Sequence, residues 1–170
     1  KEVGTTMLGV LIAPYNCRGG TPDVAVGRGN GEWAVLGGRT GGPIWRKPIG
    51  GGFTEAFALA PDLNGDGLGE LLVGGNDCTV RACSGRDGAV LWSGRLDRPI
   101  RGVAVDSARS AARDRGGSGP SSASGVVAYA CTAGGEVACF DLQEQAAPGT
   151  PRWTTNLGDV CRAVIVALDV

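Results

Sequence analysis

The segment Ala60–Asn76, APDLNGDGLGELLVGGN, aligns without a gap beneath Ala13–Gly29, APYNCRGGTPDVAVGRG. Each residue stands 47 positions after its counterpart: Ala60 after Ala13, Glu70 after Asp23 and, further along, Trp92 after Trp45. Three landmarks at one offset define an internal repeat, and a fixed period of this size marks a chain built from stacked units. A third copy is interrupted. Val103–Asp106 takes the place of the segment ending at Asp62, and SARSAARDRGGSGPSSASG follows from Ser107 to Gly125. That stretch has no aromatic residue and is dense in Ser, Gly, Ala and Arg, the composition of a solvated insertion. The pattern resumes at Val126–Leu142, breaks again at QEQAAPGT and returns at Arg152-Trp153; a fourth copy begins at Arg162 and runs to Asp169.

Within the second copy, short Val-, Leu- and Ala-rich runs at 57–60, 70–74, 78–84 and 89–93 are separated by Gly75-Asn76-Asp77 and Gly85-Arg86-Asp87-Gly88. Gly, Asn and Asp tolerate the positive φ of tight turns, so these runs read as strands in hairpins. No segment keeps a helical period over a dozen residues. Repeated four-stranded antiparallel units of this length are blades of a β-propeller. The expected fold class is therefore all-β: about three four-stranded blades plus the first strand of another. Blade 1 covers about 5–49 with a first strand near 7–13, blade 2 about 52–96, blade 3 about 99–157 with a disordered insertion at 107–125, and the start of blade 4 about 160–170. A sandwich or barrel without a true repeat is the alternative. Three blades leave open sheet edges, which are aggregation liabilities, so the chain is expected to be a piece of a larger propeller.

The composition agrees with a folded, turn-rich chain. Thirty-one of 170 residues are Gly and nine are Pro, which borders on low complexity, but 42% are hydrophobic, enough apolar surface to offset ordering entropy. Sixteen Lys plus Arg against 17 Asp plus Glu give no field that would draw a nucleic acid or an anionic membrane. No apolar run reaches the roughly 20 residues of a spanning helix. Histidine is absent, which removes Ser-His-Asp and Cys-His nucleophile pairs and His-containing zinc or iron sites. The six cysteines, Cys17, Cys78, Cys83, Cys131, Cys139 and Cys161, contain no C-x-x-C pair; their even count allows disulfides, but a domain of this size does not need them, and they are expected to be reduced and mostly buried.

Two family signatures meet in the second copy. Asp62–Glu70, DLNGDGLGE, followed by Leu71-Leu72-Val73-Gly74, resembles the FG-GAP repeat of integrin α-chain propellers and their intracellular relatives. Ala82–Trp92, ACSGRDGAVLW, resembles the tryptophan-docking motif of quinoprotein-type propellers, and Gly41 and Trp45 keep that pattern in the first copy. The resemblance implies that the tryptophan packs between neighbouring blades. The run Glu70–Ala82 is also similar to the corresponding blade of two intracellular scaffolds, the propeller subunit of the BBSome, a ciliary cargo-trafficking coat, and the FG-GAP subunit of a lysosome-tethered nutrient-signalling scaffold.

One loop carries chemistry. Asp62, Asn64, Asp66 and Glu70 place side-chain oxygens at loop positions 1, 3, 5 and 9, and Leu68 offers a carbonyl at position 7. Calcium takes six to eight hard oxygen ligands, and this spacing curls a loop around one ion. Val73 stands where an EF-hand needs a bidentate Glu, so the loop is not one. The competing reading is a set of Asx turns that hold the loop without metal. In the first copy the ligand positions are Tyr15, Cys17 and Gly19 with only Asp23 kept; Asp106 precedes the insertion and Asp169 is penultimate. At most one complete calcium site is expected.

The sequence therefore points to a non-catalytic propeller segment that binds other proteins within a larger complex, with calcium as its one expected cofactor. No nucleic-acid partner and no membrane insertion are expected, and the expected setting is intracellular, with a ciliary location among the options. The alternatives are an extracellular adhesion-type calcium-binding propeller and, further off, a fragment of a quinone-dependent dehydrogenase. Gly27-Arg28-Gly29-Asn30-Gly31 has the look of a phosphate loop but carries Glu32 where the dinucleotide fingerprint has its last glycine, and it is read as a hairpin turn.

Overall fold

The computed structural model describes residues 7–13 (backbone course alone), 20–48, 56–107, 125–143 and 149–164. Its strands are β1 (Met7–Ala13), β2 (Asp23–Arg28), β3 (Glu32–Leu36), β4 (Pro43–Pro48), β5 (Ala56–Ala60), β6 (Glu70–Gly74), β7 (Thr79–Cys83), β8 (Val90–Arg95), β9 (Ile100–Asp106), β10 (Val127–Thr132), β11 (Glu136–Asp141) and β12 (Trp153–Asn156). They form three antiparallel sheets in sequential order, β1 to β4, β5 to β8 and β9 to β12. These are three propeller blades, and no α-helix occurs among the described residues.

Burial falls from the inner strands outward. Every residue of β6 is buried, whereas β8 keeps two of its six residues buried and all of β12 is exposed. Period-two alternation lets one strand serve two cores. Leu71 and Val73 of β6 pack with Trp33, Val35 and Trp45 of blade 1, and Phe57 meets the Trp33 ring edge-on at 5.4 Å. Leu72, on the opposite face, packs with Val80, Ala82 and Trp92 and with Ile100, Ala128, Ala130 and Phe140 of blade 3. The inner strands come close enough that a Cβ on Gly74 would run into the Ile100 side chain, so part of the glycine excess is a packing requirement between blades as well as turn punctuation.

Blade 2 differs in detail from the expected strands. Cys78 belongs to the turn, not the strand. Its amide donates to the Gly75 carbonyl at 3.2 Å and its φ is +65°, so β7 starts at Thr79; Ser84 opens the following turn, and β8 extends to Arg95. The Gly29-Asn30-Gly31 segment is the β2–β3 hairpin turn, with the Gly31 amide on the Arg28 carbonyl. Residues 160–164, expected to begin a fourth blade, form no strand, although Ala163 and Val164 lie against Gly102 of β9. Residues 108–124 of the insertion, 144–148, 165–170 and the first-copy positions Tyr15, Cys17 and Gly19 lie outside the described residues. Among the described residues no helix is long and apolar enough to cross a membrane.

Candidate functional site

Trp45 and Trp92 occupy one structural position. Trp45 pairs with Val35 while Pro43 pairs with Leu36, and Trp92 pairs with Ala82 while Val90 pairs with Cys83. Ile44 and Leu91 are thus the extra residues of matching β-bulges, which bend the outer strand just before the indole and re-aim it. Trp45 is 9% exposed and Trp92 7%. The Trp45 indole Nε1 donates to the Gly85 carbonyl of blade 2 at 3.0 Å. Its ring covers Gly88, which has φ +72° and where a Cβ would stand 2.9 Å from the ring. Gly88 serves two needs at once, a left-handed backbone and a bare surface for the indole.

The acidic loop stands behind this docking turn. The Glu70 side chain is fully buried; its Oε1 accepts the Leu63 amide at 3.0 Å, and the Gly85 amide faces the same carboxyl. Its Oε2 has no hydrogen-bond partner among the described residues. Burial pushes the Glu70 carboxyl above its ordinary value, against the lowering effect of the two amides. The Asp62 carboxylate ties the loop together, with Oδ1 accepting the amides of Asn64, Gly65 and Asp66 and Oδ2 that of Gly67 at 2.8 Å. The Gly67 amide first, with those of Gly65, Asp66 and Asn64, holds Asp62 below the usual carboxylate range against some desolvation. Desolvation also raises Asp66, but the Arg86 guanidinium at 3.0 Å, the Leu68 amide and the Asn64 side chain outweigh it and keep this carboxyl low.

The expected ligands Asp62, Asn64, Asp66, Leu68 and Glu70 do lie in one loop, but its carboxylates are turned to separate partners. Asp62 faces amides, Asp66 divides its oxygens between the Leu68 amide and Arg86, and Glu70 points inward under Leu63. Among the described residues no three acidic or cysteine groups come together as a metal-holding cluster. In this arrangement the loop is a knot of Asx turns whose Arg86 contact clamps it to the docking turn. Arg86 was not legible as part of the loop, because it lies 20 residues from Asp66.

Blade 1 repeats the brace. Asp23, the counterpart of Glu70, accepts the Gly38 amide at 3.4 Å through Oδ1, and Gly38 is the counterpart of Gly85. Extending the 47-residue comparison from the strands to the turns is the signal that would have paired each buried acid with its turn glycine, 15 positions on. No disulfide joins the five described cysteines; Cys83, Cys131 and Cys139 are buried, and burial pushes the Cys83 thiol up to about 12. These thiols are packing groups.

No curated protein matches the chain. A family model does, that of the outer membrane protein assembly factor BamB, over residues 20–144. This span takes in blade 1 from β2 onward, blade 2 and blade 3 through β11, with Trp45, Trp92 and the turn that receives Trp45. The chain belongs to this family of quinoprotein-type β-propeller repeats.

Proposed function

We propose that the chain is a non-catalytic propeller segment that scaffolds protein–protein interactions within a larger complex. The observation that carries this reading is the Trp45 indole seated on the Gly85–Gly88 turn: the residues shared with quinoprotein-type propellers are used to join blades. What remains for recognition is the loops and outer edges of a rigid β scaffold, where binding residues concentrate. A groove of about 290 Å³ between the Thr132–Glu136 turn and β12, lined by Asp97, Arg98, Glu136 and Asn156, offers both charges to a partner's polar side chains. BamB is described as an assembly factor, and a role in assembly fits this reading. The absence of histidine and the commitment of the loop carboxylates to backbone amides argue against catalysis.

The finer part of the proposal is that the loop is of the FG-GAP type and takes up calcium through Asp62, Asn64, Asp66, Glu70 and the Leu68 carbonyl. Binding asks Arg86 to release Asp66 and the Asp62 carboxylate to leave its amides, so calcium would loosen the clamp on the docking turn as it orders the loop. Calorimetric titration of calcium, with Asp62→Ala and Asp66→Ala as controls, tests this; no heat above the controls refutes it. Free thiols at the five described cysteines fit an intracellular setting, a ciliary location rests only on the resemblance of the Glu70–Ala82 run, and six reactive thiols on denaturation are the expected result. Carboxylate-directed crosslinking in the native extract is expected to join loop residues of this chain to other proteins of one complex. A quinone absorbance that copurifies with the chain would overturn the non-catalytic reading.

A further inference from the structure

Blades 2 and 3 release the chain by the same route. The Leu96 amide, after β8, donates to the Cys78 carbonyl at 2.9 Å, and the Leu157 amide, after β12, donates to the Gly135 carbonyl at 2.9 Å. Cys78 and Gly135 are both turn residues with positive φ, so the two connections share a register. Ile100 stands four residues beyond Leu96, and Cys161 four beyond Leu157. The residues they meet correspond as well: Gly74 pairs with Val80 in blade 2, and Cys131 pairs with Val137 in blade 3. The junction that brings Gly74 against Ile100 therefore recurs one blade later as Cys131 with Cys161.

That position brings two side chains together at their first carbon. A Cβ on Gly74 would stand 2.9 Å from the Ile100 Cβ, and the Cβ atoms of a disulfide are about 3.5–4.5 Å apart, so the repeat places its two positions within bridging reach. At the later junction the sulfurs meet. Cys131 Sγ lies over Gly102, the residue it pairs with, where the backbone of Ala163 and Val164 also arrives. Cys161 Sγ donates to the Ala163 carbonyl at 3.4 Å, and the Cys131 and Cys161 side chains are in hydrogen-bond contact. Both carry free thiols. Cys131 packs as Cys83 and Cys139 do, but burial first, and then Cys161, push its thiol above the ordinary thiol value. Cys161 is thus the one to supply a thiolate.

We propose that Cys131 and Cys161 are a reversible redox staple across the junction after blade 3, closed by exchange with a low-molecular-weight disulfide. The Cys161 thiolate attacks one sulfur of that disulfide and expels the other as a thiolate, which takes up the proton that Cys161 gave to water. Cys131 then attacks the Cys161 sulfur, and its proton passes to the second departing thiolate. Two protein thiols are oxidised to one disulfide, and one external disulfide is reduced to two thiols. The bond joins residues 30 apart in sequence and fixes the segment 161–164 to β10, so the connection can no longer lift from β9. Closing such a loop removes freedom from the unfolded chain. Gly74 and Ile100 hold the preceding junction by packing alone, so oxidation acts on one junction and not on the other.

Peptide mapping of the oxidised chain tests the proposal. The folded chain is incubated with oxidised glutathione, its remaining thiols are alkylated, and it is digested with trypsin and a glutamate-specific protease, which cuts at Glu136 between Cys131 and Cys139. A linked pair of peptides carrying Cys131 and Cys161 is expected, separated again by dithiothreitol. Oxidation should raise the thermal midpoint by about 5 °C or more in the wild type and leave it unchanged in Cys161→Ser. Cys131→Ala should keep one glutathione on Cys161, read by mass, because the resolving thiol is gone. Should that variant lose its sheet signal in circular dichroism, Cys161→Ser, in which Cys131 stays unmodified, carries the same test. An oxidised wild-type chain in which Cys131 remains free, or is linked to a different cysteine, overturns the proposal. So does a Cys131–Cys161 bond that leaves the midpoint where it was, since the bond would then form without holding the junction.

Discussion

Trp45 and Trp92 are the same residue type, at the same register, behind the same bulge, and nearly equally buried. Their polar ends differ. Trp45 donates its N–H to Gly85, while the Trp92 N–H finds no acceptor among the described residues and its ring instead meets Phe140 edge-on at 5.3 Å. The comparison separates what the position requires, a large flat apolar surface between blades, from what each interface adds. Area burial is common to both; the hydrogen bond belongs to one and the aromatic pair to the other. An edge-to-face pair contributes about 0.5–1.5 kcal/mol beyond area, the same range as one buried hydrogen bond, but the unpaired Trp92 N–H offsets that gain on its side.

The largest expected effect comes from removing either ring. Trp45→Ala and Trp92→Ala should each lower stability by about 3–5 kcal/mol, the usual cost of emptying a large aromatic site, measured by denaturant unfolding. A loss at one site several-fold greater than at the other would break the idea that both interfaces rest on the same burial. Next in size is Gly88→Ala, at about 2–3 kcal/mol, because the left-handed backbone costs an L-residue about 1–2 kcal/mol and the new methyl also presses on the Trp45 ring. Gly94→Ala is the control for the Trp92 side: its Cβ would stand 2.8 Å from that ring, 2.9 Å from Phe140 and 3.1 Å from the Gly149 carbonyl without the backbone strain, so its cost reports overpacking alone.

Trp→Phe sharpens the comparison. Trp45→Phe strands the Gly85 carbonyl and loses the hydrogen bond, whereas Trp92→Phe removes an N–H that had no described acceptor. The first should be the more destabilising by about 1 kcal/mol. Equal losses would mean that the Trp92 N–H has an acceptor.

The sequence made the blades legible because the repeat is gapless where the strands are: the offset of 47 carries Asp23 to Glu70 and Trp45 to Trp92, and β6 appears where the alignment puts it. Cys78 was misplaced because nothing in a Thr-, Val- and Cys-rich run signals a positive φ on a non-glycine residue. The tryptophan seat was legible as a resemblance, since Gly88 and Trp92 stand at fixed spacing. The loop was legible as a cluster of oxygens but not in its geometry. Where a carboxylate points depends on which amides the chain brings to it, and for Asp66 on an arginine in the next turn. Trp153 reads like the other two in sequence, and its exposure depends on what lies across from it, which no local pattern encodes.

The smallest expected effect links the acidic loop to one tryptophan seat and not the other. Glu70 backs the turn that receives Trp45, and burial raises its carboxyl above the ordinary value of 4.5. The folded state then holds that proton more tightly than the unfolded state, so the contribution of Glu70 is most favourable below 4.5 and is lost as the pH rises through the raised value. Asp62 and Asp66, held below 3.8, run the other way: their contribution is present above that value and lost as the pH falls. Glu70→Gln keeps the acceptor for the Leu63 amide and removes the buried charge. It should therefore raise the apo thermal midpoint at neutral pH and abolish the decline above the glutamate range, while the acid limb set by Asp62 and Asp66 stays. If Glu70 acts through the turn, the Trp45→Phe penalty should change with pH in the wild-type background and become flat in the Glu70→Gln background, and the Trp92→Phe penalty should be flat in both. A Trp92→Phe penalty that follows Glu70 would break the separation of the two seats.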